Sequence, residues 1–285
     1  MISETSIEDL AAYYESKTEA ILRRYGPGPR VHYHAGLVNE TGALATVTEL
    51  RSRLRESQQT MLEHAADAWR LKSVAFRDVL DVGCGLGGGA IFWAQEFGSD
   101  VTAITVAPSH VSLAATFAAQ AGVESLVHPL LCDALAVAGW SRFDAIIAID
   151  SSCHLDRRAW FRRVAGLLRK GGHVFIADCF VDQEAYRAPF DRYWCARIGA
   201  VEEYLSAASG AGLILERSED VSRLVANFWA TTMALIRVEA QDANASPRES
   251  LRASESLRVH SLMRSGLLDG GFRHMLMSFT KRLKA

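Results

Sequence analysis

Val79-Leu80-Asp81-Val82-Gly83-Cys84-Gly85-Leu86-Gly87-Gly88 is the stretch that decides the fold of this 285-residue chain. Asp78 to Val82 reads as a short buried strand that runs straight into the glycines. Ala90 to Phe97 reads as the helix that follows. A strand, a glycine-rich turn and a helix make a cradle for anions and nucleotides. Glycine lets the backbone approach a ligand, and the helix start offers free N–H groups and the positive end of a dipole. Gly83, Gly85 and Gly88 also satisfy GxGxxG, the dinucleotide fingerprint. That version needs an acid about 20 residues further on, at the end of the second strand. Here the strand ends in Ile104-Thr105-Val106, with no Asp or Glu from Val101 to Val123, which counts against a nicotinamide dinucleotide.

Downstream, strands alternate with helices. Asp100 to Val106 is a second strand, Leu126 to Cys132 a third, Phe143 to Ile149 a fourth and His173 to Ala177 a fifth. Ser109 to Ala121 and Arg157 to Leu168 are helices between them. This alternation means a parallel sheet covered on both faces. Residues 182–210 break the pattern and read as an aromatic, helical cap inserted over the sheet. Leu213 to Glu216 and Met275 to Thr280 are further strands. Leu224 to Val238 and Ser250 to Met263 are helices joined by a polar link at Gln241 to Pro247. Upstream, residues 6–25 read as one helix with a broken apolar stripe, stopped by Gly26-Pro27-Gly28-Pro29. Residues 45–72 form a second helix. The division expected is an N-terminal helical lid, 1–72, and a core domain, 73–285. The helices at 6–25 and 45–72 could close the site or form a subunit interface in a homo-oligomer.

Composition narrows the class. Hydrophobic residues make up 49% and charged residues 22%, which excludes a disordered chain. With 31 basic and 33 acidic residues there is no global electrostatic case for binding nucleic acid. No apolar run approaches the roughly 18 residues of a membrane span. The start carries Glu4, Glu8 and Asp9 and shows no signal peptide, so a cytoplasmic protein is expected. Its five cysteines are widely spaced without a CxxC pair, which points to reduced thiols and argues against zinc.

Taken in order, the glycine stretch, Asp133 after the third strand, Phe143-Asp144-Ala145-Ile146-Ile147 and Leu167-Leu168-Arg169-Lys170-Gly171-Gly172 resemble the class I S-adenosylmethionine (SAM) dependent methyltransferases. The resemblance implies a Rossmann-like α/β fold: a seven-stranded, mostly parallel sheet with the last strand antiparallel. It implies SAM as cofactor, with its methionine against Gly83, Gly85 and Gly87. Asp81 would orient the loop, and Asp133 would accept from the adenine amine. The acid that many members use for the ribose is replaced here by Thr105.

In open α/β sheets chemistry sits beyond the carboxyl ends of the strands. The fourth strand ends in Asp150-Ser151-Ser152-Cys153-His154, so Asp150 and His154 are the candidate general bases. Tyr193, Trp194, Tyr204, Phe228 and Trp229 are candidates for an aromatic substrate wall, which suits an apolar substrate and steadies a developing cation. Ile149-Asp150-Ser151-Ser152, Phe190-Asp191-Arg192-Tyr193-Trp194-Cys195 and His32-Tyr33-His34-Ala35-Gly36 are similar to segments of the geranyl diphosphate C-methyltransferases, where a carboxylate and aromatics steady a carbocation. That family has Glu where this chain has the shorter Asp150, which could fit another prenyl length, including isopentenyl diphosphate. A diphosphate needs cations, and Arg30, His32, His34, Arg192 and Arg197 are the candidates, with Mg²⁺ bridging through the diphosphate if a metal is used. His32, Tyr33 and His34 would join the substrate site with Arg197. Two rival readings stand beside this one. The first is an O- or N-methyltransferase of an aromatic or polyketide-like metabolite, with His154 as base. The second is a methyltransferase-like binding subunit, against which the intact glycine loop argues.

Overall fold

The structure, a computed structural model, describes residues 6–39, 46–240 and 246–281. Most of the link at 241–247 and the chain's last four residues lie outside the described residues.

In chain order the elements are α1 (Ile7–Glu15), α2 (Thr18–Tyr25), α3 (Val47–Ala68), β1 (Asp78–Val82), α4 (Gly88–Phe97), β2 (Asp100–Thr105), α5 (Pro108–Gln120), β3 (Val127–Leu131) and β4 (Phe143–Ile149). They continue with α6 (Arg157–Leu167), β5 (Leu168–Val181), α7 (Arg187–Trp194), α8 (Val201–Gly210), β6 (Leu213–Asp220), α9 (Ser222–Glu239), α10 (Pro247–Asp269) and β7 (Phe272–Lys281). The seven strands form one sheet in the order β3-β2-β1-β4-β5-β7-β6. β1 to β5 pair in parallel, and β7 runs antiparallel to both β5 and β6. This is the seven-stranded, mostly parallel sheet with an antiparallel last strand that the family resemblance implies.

Side chains alternate across the strands, and the two cores follow from that period. Val79, Ala145, Ile147, Phe175 and Ala177 face one way, into a large core with α3, α4, α9 and α10. Leu80, Ile146, Ala148, Val174 and Ile176 face the other way, into a smaller core with α6 and α8. The N-terminal helices contribute Ile21, Tyr25, Leu50, Leu54, Met61 and Leu62 to the larger core. Local signals start the long helices: Thr46 and Glu49 form a capping box for α3, as Ser246 and Glu249 do for α10.

Several boundaries differ from the sequence reading, and two of them bear on the site. Residues 6–25 are two helices, because the chain breaks at Ser16, whose hydroxyl donates to the Tyr13 carbonyl at 2.7 Å. The cap read at 182–210 is shorter: α8 lies on the sheet's second face and packs its Val201, Tyr204, Ala207 and Ala208 into the smaller core. Only α7 and its flanking turns sit over the site side. Among the described residues, no helix is long and apolar enough to cross a membrane.

One ion-pair cluster fastens α2. Arg24 donates to Glu239 Oε2 at 3.0 Å from the α9 end, and Arg51 of α3 donates to Glu239 Oε1 at 3.0 Å. Both guanidiniums are partly buried, so removing the shared carboxylate leaves two like charges without their acceptor. Glu239→Gln is expected to lower the free energy of urea unfolding by about 1–3 kcal/mol and to speed protease cleavage within α1 and α2. Unchanged stability and cleavage would mean that the cluster does not hold α2 down.

Candidate active site

The strand order reverses between β1 and β4, and the carboxyl ends of those strands open into two joined cavities. The first, of about 300 Å³, is lined by the glycine loop. Gly83 has φ +73 and Gly85 φ +53, a region where a Cβ is strained. A Cβ on Gly83 would also lie 2.6 Å from Ser151 Cβ, whereas at Gly85 it would meet nothing within 4 Å. Asp81, Thr105 and Asp133 line this cleft. Burial pushes the Asp81 carboxyl up to about 7. Thr105 Oγ1 accepts from Ala107 N–H at 3.2 Å, and Asp133 Oδ1 accepts from Leu135 N–H at 3.1 Å. Ser6, Ile7 and Leu10 of α1 form part of the opposite wall.

The second cavity, of about 860 Å³, lies between α2, α7, α9 and α10. Its wall is aromatic. Trp194 and Trp229 meet edge to face at 5.8 Å, Trp229 lies 4.8 Å from the His260 ring, and Tyr193, Phe190 and Phe228 complete it. Lys17 stands at its edge, with its ammonium 5.1 Å from the Tyr13 ring and 5.5 Å from the Tyr193 ring. Its floor holds Asp150, Asp178, His34 and His274.

Asp150, Tyr14, Tyr33, His34 and His154 line both cavities. Asp150 follows β4 with φ +45, which turns its side chain out of the sheet. Its backbone N–H donates to the Ala177 carbonyl at 2.8 Å, and its Oδ2 accepts from Ala35 N–H at 2.6 Å. Burial pushes the Asp150 carboxyl up to about 6, while the Ala35 hydrogen bond works the other way. Asp178 is also pushed up to about 6, by burial and by Asp150. Its oxygens accept from the Ser152 hydroxyl and from the Cys153 and Cys179 N–H groups, so it fastens the turn that carries Asp150. His154 lies 3.2 Å from the Cys195 carbonyl through Nδ1 and 2.8 Å from the Tyr14 hydroxyl through Nε2. A carbonyl can only accept, so Nδ1 carries the proton and Nε2 accepts from Tyr14. Burial pulls the imidazole down to about 4, so it is neutral at pH 7.

Residues 79–172 match the family model described as a methyltransferase domain. The chain is 39% identical over 117 residues to O-methyltransferase resE of Aspergillus sclerotiorum, covering 40% of this chain and 44% of that one. It is 29% identical over 175 residues to methyltransferase GfsG of Streptomyces halstedii, covering 61% and 58%. The chain thus spans about half the length of these relatives. In fold it is similar to a geranyl diphosphate methyltransferase solved with geranyl diphosphate and sinefungin. That match has a TM-score of 0.82 at 18% identity and covers 97% of this chain and 99% of that one. Over residues 79–172, then, the chain is similar to a methyltransferase domain.

The structure brings together most of the residues singled out in the sequence, with four corrections. Gly87 does not line the cleft: with φ +84 it starts α4, and a Cβ there would lie 2.9 Å from Ala114 Cβ on α5. His32 and Arg197 line the smaller cleft rather than the large cavity. Tyr204 lines neither, because it is fully buried among Phe161 and Phe180 with its hydroxyl 3.1 Å from Ser152 Oγ. The proposed cations also fail to converge. Arg30 is paired with Glu96 and Gln95 and, like Arg192, lines neither cavity. His32 and His34 are held neutral by burial. The cations at the large cavity are instead Lys17, Arg23, Arg24, Arg51 and Arg252, accompanied by Glu19, Glu239, Glu249 and Glu255. Among the described residues no group of three or more His, Cys, Asp or Glu could hold a metal ion.

Sequence reasoning missed Tyr14, Lys17, Asp178, His260 and His274. Asp178 had a visible signal: it interrupts the apolar run from Val174 to Val181, where a polar residue needs a reason. Tyr14 and His260 sit on helices whose facing could not be read, and Lys17 sits in the turn between α1 and α2.

The buried Asp150 has a stability consequence. Its folded value, about 6, lies above its ordinary 3.8, so the folded chain binds this proton more tightly than the unfolded one. That contribution is fully present below the unfolded value and is lost as pH rises through about 6. Asp150→Asn is therefore expected to raise the unfolding free energy at pH 8 by about 2–3 kcal/mol relative to its effect at pH 4. Urea unfolding at the two pH values checks this, and an equal effect at both would refute it.

Proposed function

We propose that this chain is a SAM-dependent small-molecule methyltransferase that methylates an alkene carbon of a short prenyl diphosphate. The observation that carries the reading is the carboxylate of Asp150 at the joint of the cofactor cleft and an aromatic-walled cavity. The glycine cradle fits a nucleoside-bearing cofactor: Gly83 and Gly85 leave the backbone bare, while Asp81, Thr105 and Asp133 line the same cleft. Bound SAM would supply an electrophilic methyl group on a sulfonium. The alkene π pair would form the new carbon–carbon bond as the methyl–sulfur bond breaks, with its electron pair left on the departing thioether, and a carbocation would remain on the substrate. The faces of Trp194, Trp229 and Tyr193 would steady that cation. Asp150 would take the adjacent proton, and the freed C–H pair would close the new double bond. Helices α1 and α2 would act as a lid and exclude water, which would otherwise quench the cation. Lys17 and Arg252 are the candidates for the diphosphate end, and any Mg²⁺ would come with the substrate. The fold match to a geranyl diphosphate methyltransferase agrees with this reading.

A second reading has its own observation. The Tyr14 hydroxyl donates to a neutral His154 at 2.8 Å beside the same joint. That pair is suited to removing a proton from a substrate hydroxyl, and relatives such as resE carry the name O-methyltransferase.

The deciding assay is transfer from methyl-labelled SAM to isopentenyl, dimethylallyl, geranyl and farnesyl diphosphates and to a panel of phenols, with and without a chelator. A methylated prenyl product is expected. Asp150→Asn is expected to retain SAM binding while losing about 10²–10⁴-fold in kcat, with Tyr14→Phe affected far less. Methylated phenols, no prenyl product and the opposite ranking of the two variants would establish the second reading instead.

A further inference from the structure

His274 occupies a position that apolar packing does not explain. It lies on β7 opposite Cys179 of β5, it is only 2% exposed, and it faces the floor of the large cavity. Its backbone is fixed by the turn from β6 to α9: His274 N–H donates to Ser222 Oγ at 2.9 Å, and its carbonyl accepts from Val221 N–H at 2.9 Å. Its Nε2 is buried without a hydrogen-bond partner. That nitrogen lies 3.8 Å from Asp150 Oδ1. The other oxygen of Asp150 is already held by Ala35 N–H.

The surroundings single out Asp150 as the acceptor. The ionisable groups near His274 are Asp150 at the end of β4, Asp178 on β5, Asp220 on β6 and His34 on the N-terminal segment. Asp178 already accepts three hydrogen bonds, and Asp220 Oδ1 accepts from Ser222 N–H. Tyr14, Tyr33, Cys153 and Cys179 also face Asp150, and burial holds each of them in its neutral form. None of these groups is a fixed cation. Two neighbouring carboxylates in such a place tend to share a proton, so an N–H aimed at one of them decides which stays ionised.

We propose that His274 is a positioning residue for Asp150: its Nε2–H donates to Oδ1 while Ala35 N–H holds Oδ2. The carboxylate is then gripped from two sides and presented ionised to the substrate cavity. A shift of about 1 Å brings the present separation to hydrogen-bond length. The inference rests on Asp150 being the proton acceptor, but the placement of the imidazole proton can be tested without turnover.

The first test is nitrogen NMR of the full chain with ¹⁵N-labelled histidine at pH 7.5, with the His274 signal assigned by its loss in His274→Gln. The neutral tautomer protonated at Nε2 is expected; protonation at Nδ1 alone overturns the proposal. The second test is the pH profile of kcat. His274→Leu is expected to lose about 10- to 100-fold in kcat and to move the acid limb up by about one pH unit, with the KM for SAM unchanged. His274→Gln retains an amide donor and is expected to keep the wild-type acid limb. An unmoved limb in His274→Leu, or a raised limb in a folded His274→Gln, overturns the proposal. If the Leu variant does not fold, the tautomer and the Gln profile still decide. An active Asp150→Asn chain would sink the role of Asp150 while leaving the tautomer result standing, so the two failures are distinguishable.

Discussion

The hydrogen bond from Ala35 N–H to the Asp150 carboxylate, 2.6 Å long, joins parts of the chain 115 residues apart, and the site is built around it. One partner comes from the sheet, the other from the N-terminal segment at residues 31–38. That segment has no helix or strand of its own to satisfy its backbone, so it borrows partners from the helices around it. Gln58 of α3 donates to the His34 carbonyl at 2.8 Å, Leu37 N–H donates to the Ser57 carbonyl, and Val38 N–H donates to the Leu224 carbonyl at the start of α9. Held this way, Tyr33 and His34 stand between the glycine-lined cleft and the large cavity and line both. Asp150 completes the joint from the other side. A different path for the segment would leave the carboxylate without its donor and merge the two cavities.

Low dielectric then sets the charge state of every group at that joint. Burial disfavours charge on acids and bases alike, so it raises carboxyls and lowers imidazoles. Asp81, Asp150 and Asp178 all shift upward, and His32, His34, His154 and His274 all shift downward. The histidines around the joint are therefore neutral donors and acceptors rather than cations. Positive charge is moved outward to Lys17, Arg23, Arg24, Arg51 and Arg252, where acidic partners balance much of it. The large cavity is therefore aromatic along one wall and charged where Lys17 and Arg252 line it.

The glycine stretch at 79–88, the strand–helix alternation and the turn after the fourth strand were all legible from local pattern. A glycine at positive φ and a run of β-branched residues carry their meaning within a few residues, so a glycine-lined cleft and the position of Asp150 beyond the fourth strand could be placed in advance. Gly87 shows the limit of that local reading. Its positive φ marks it as a glycine position, yet whether it meets a ligand or a neighbouring helix depends on where α5 packs, and α5 takes the space. Tyr204 shows the same limit from the other side: an aromatic residue near the cap is drawn into the core beneath the sheet because α8 packs on the face opposite the cavity.

By itself, then, the sequence determined the sheet, the anion-cradling loop and the presence of a carboxylate and an imidazole after the fourth strand, because backbone conformation and side-chain period are short-range properties. Tertiary structure decided which groups share a cavity and which of them carry charge. Lys17 reaches the large cavity only because α1 and α2 break apart at Ser16. Asp178 and His274 meet Asp150 only because β5 and β7 lie side by side. His32 and His34, two residues apart, differ in that only His34 opens onto the large cavity, and both lose their charge to burial. Desolvation and proximity depend on the whole packed chain, so no window of sequence holds them.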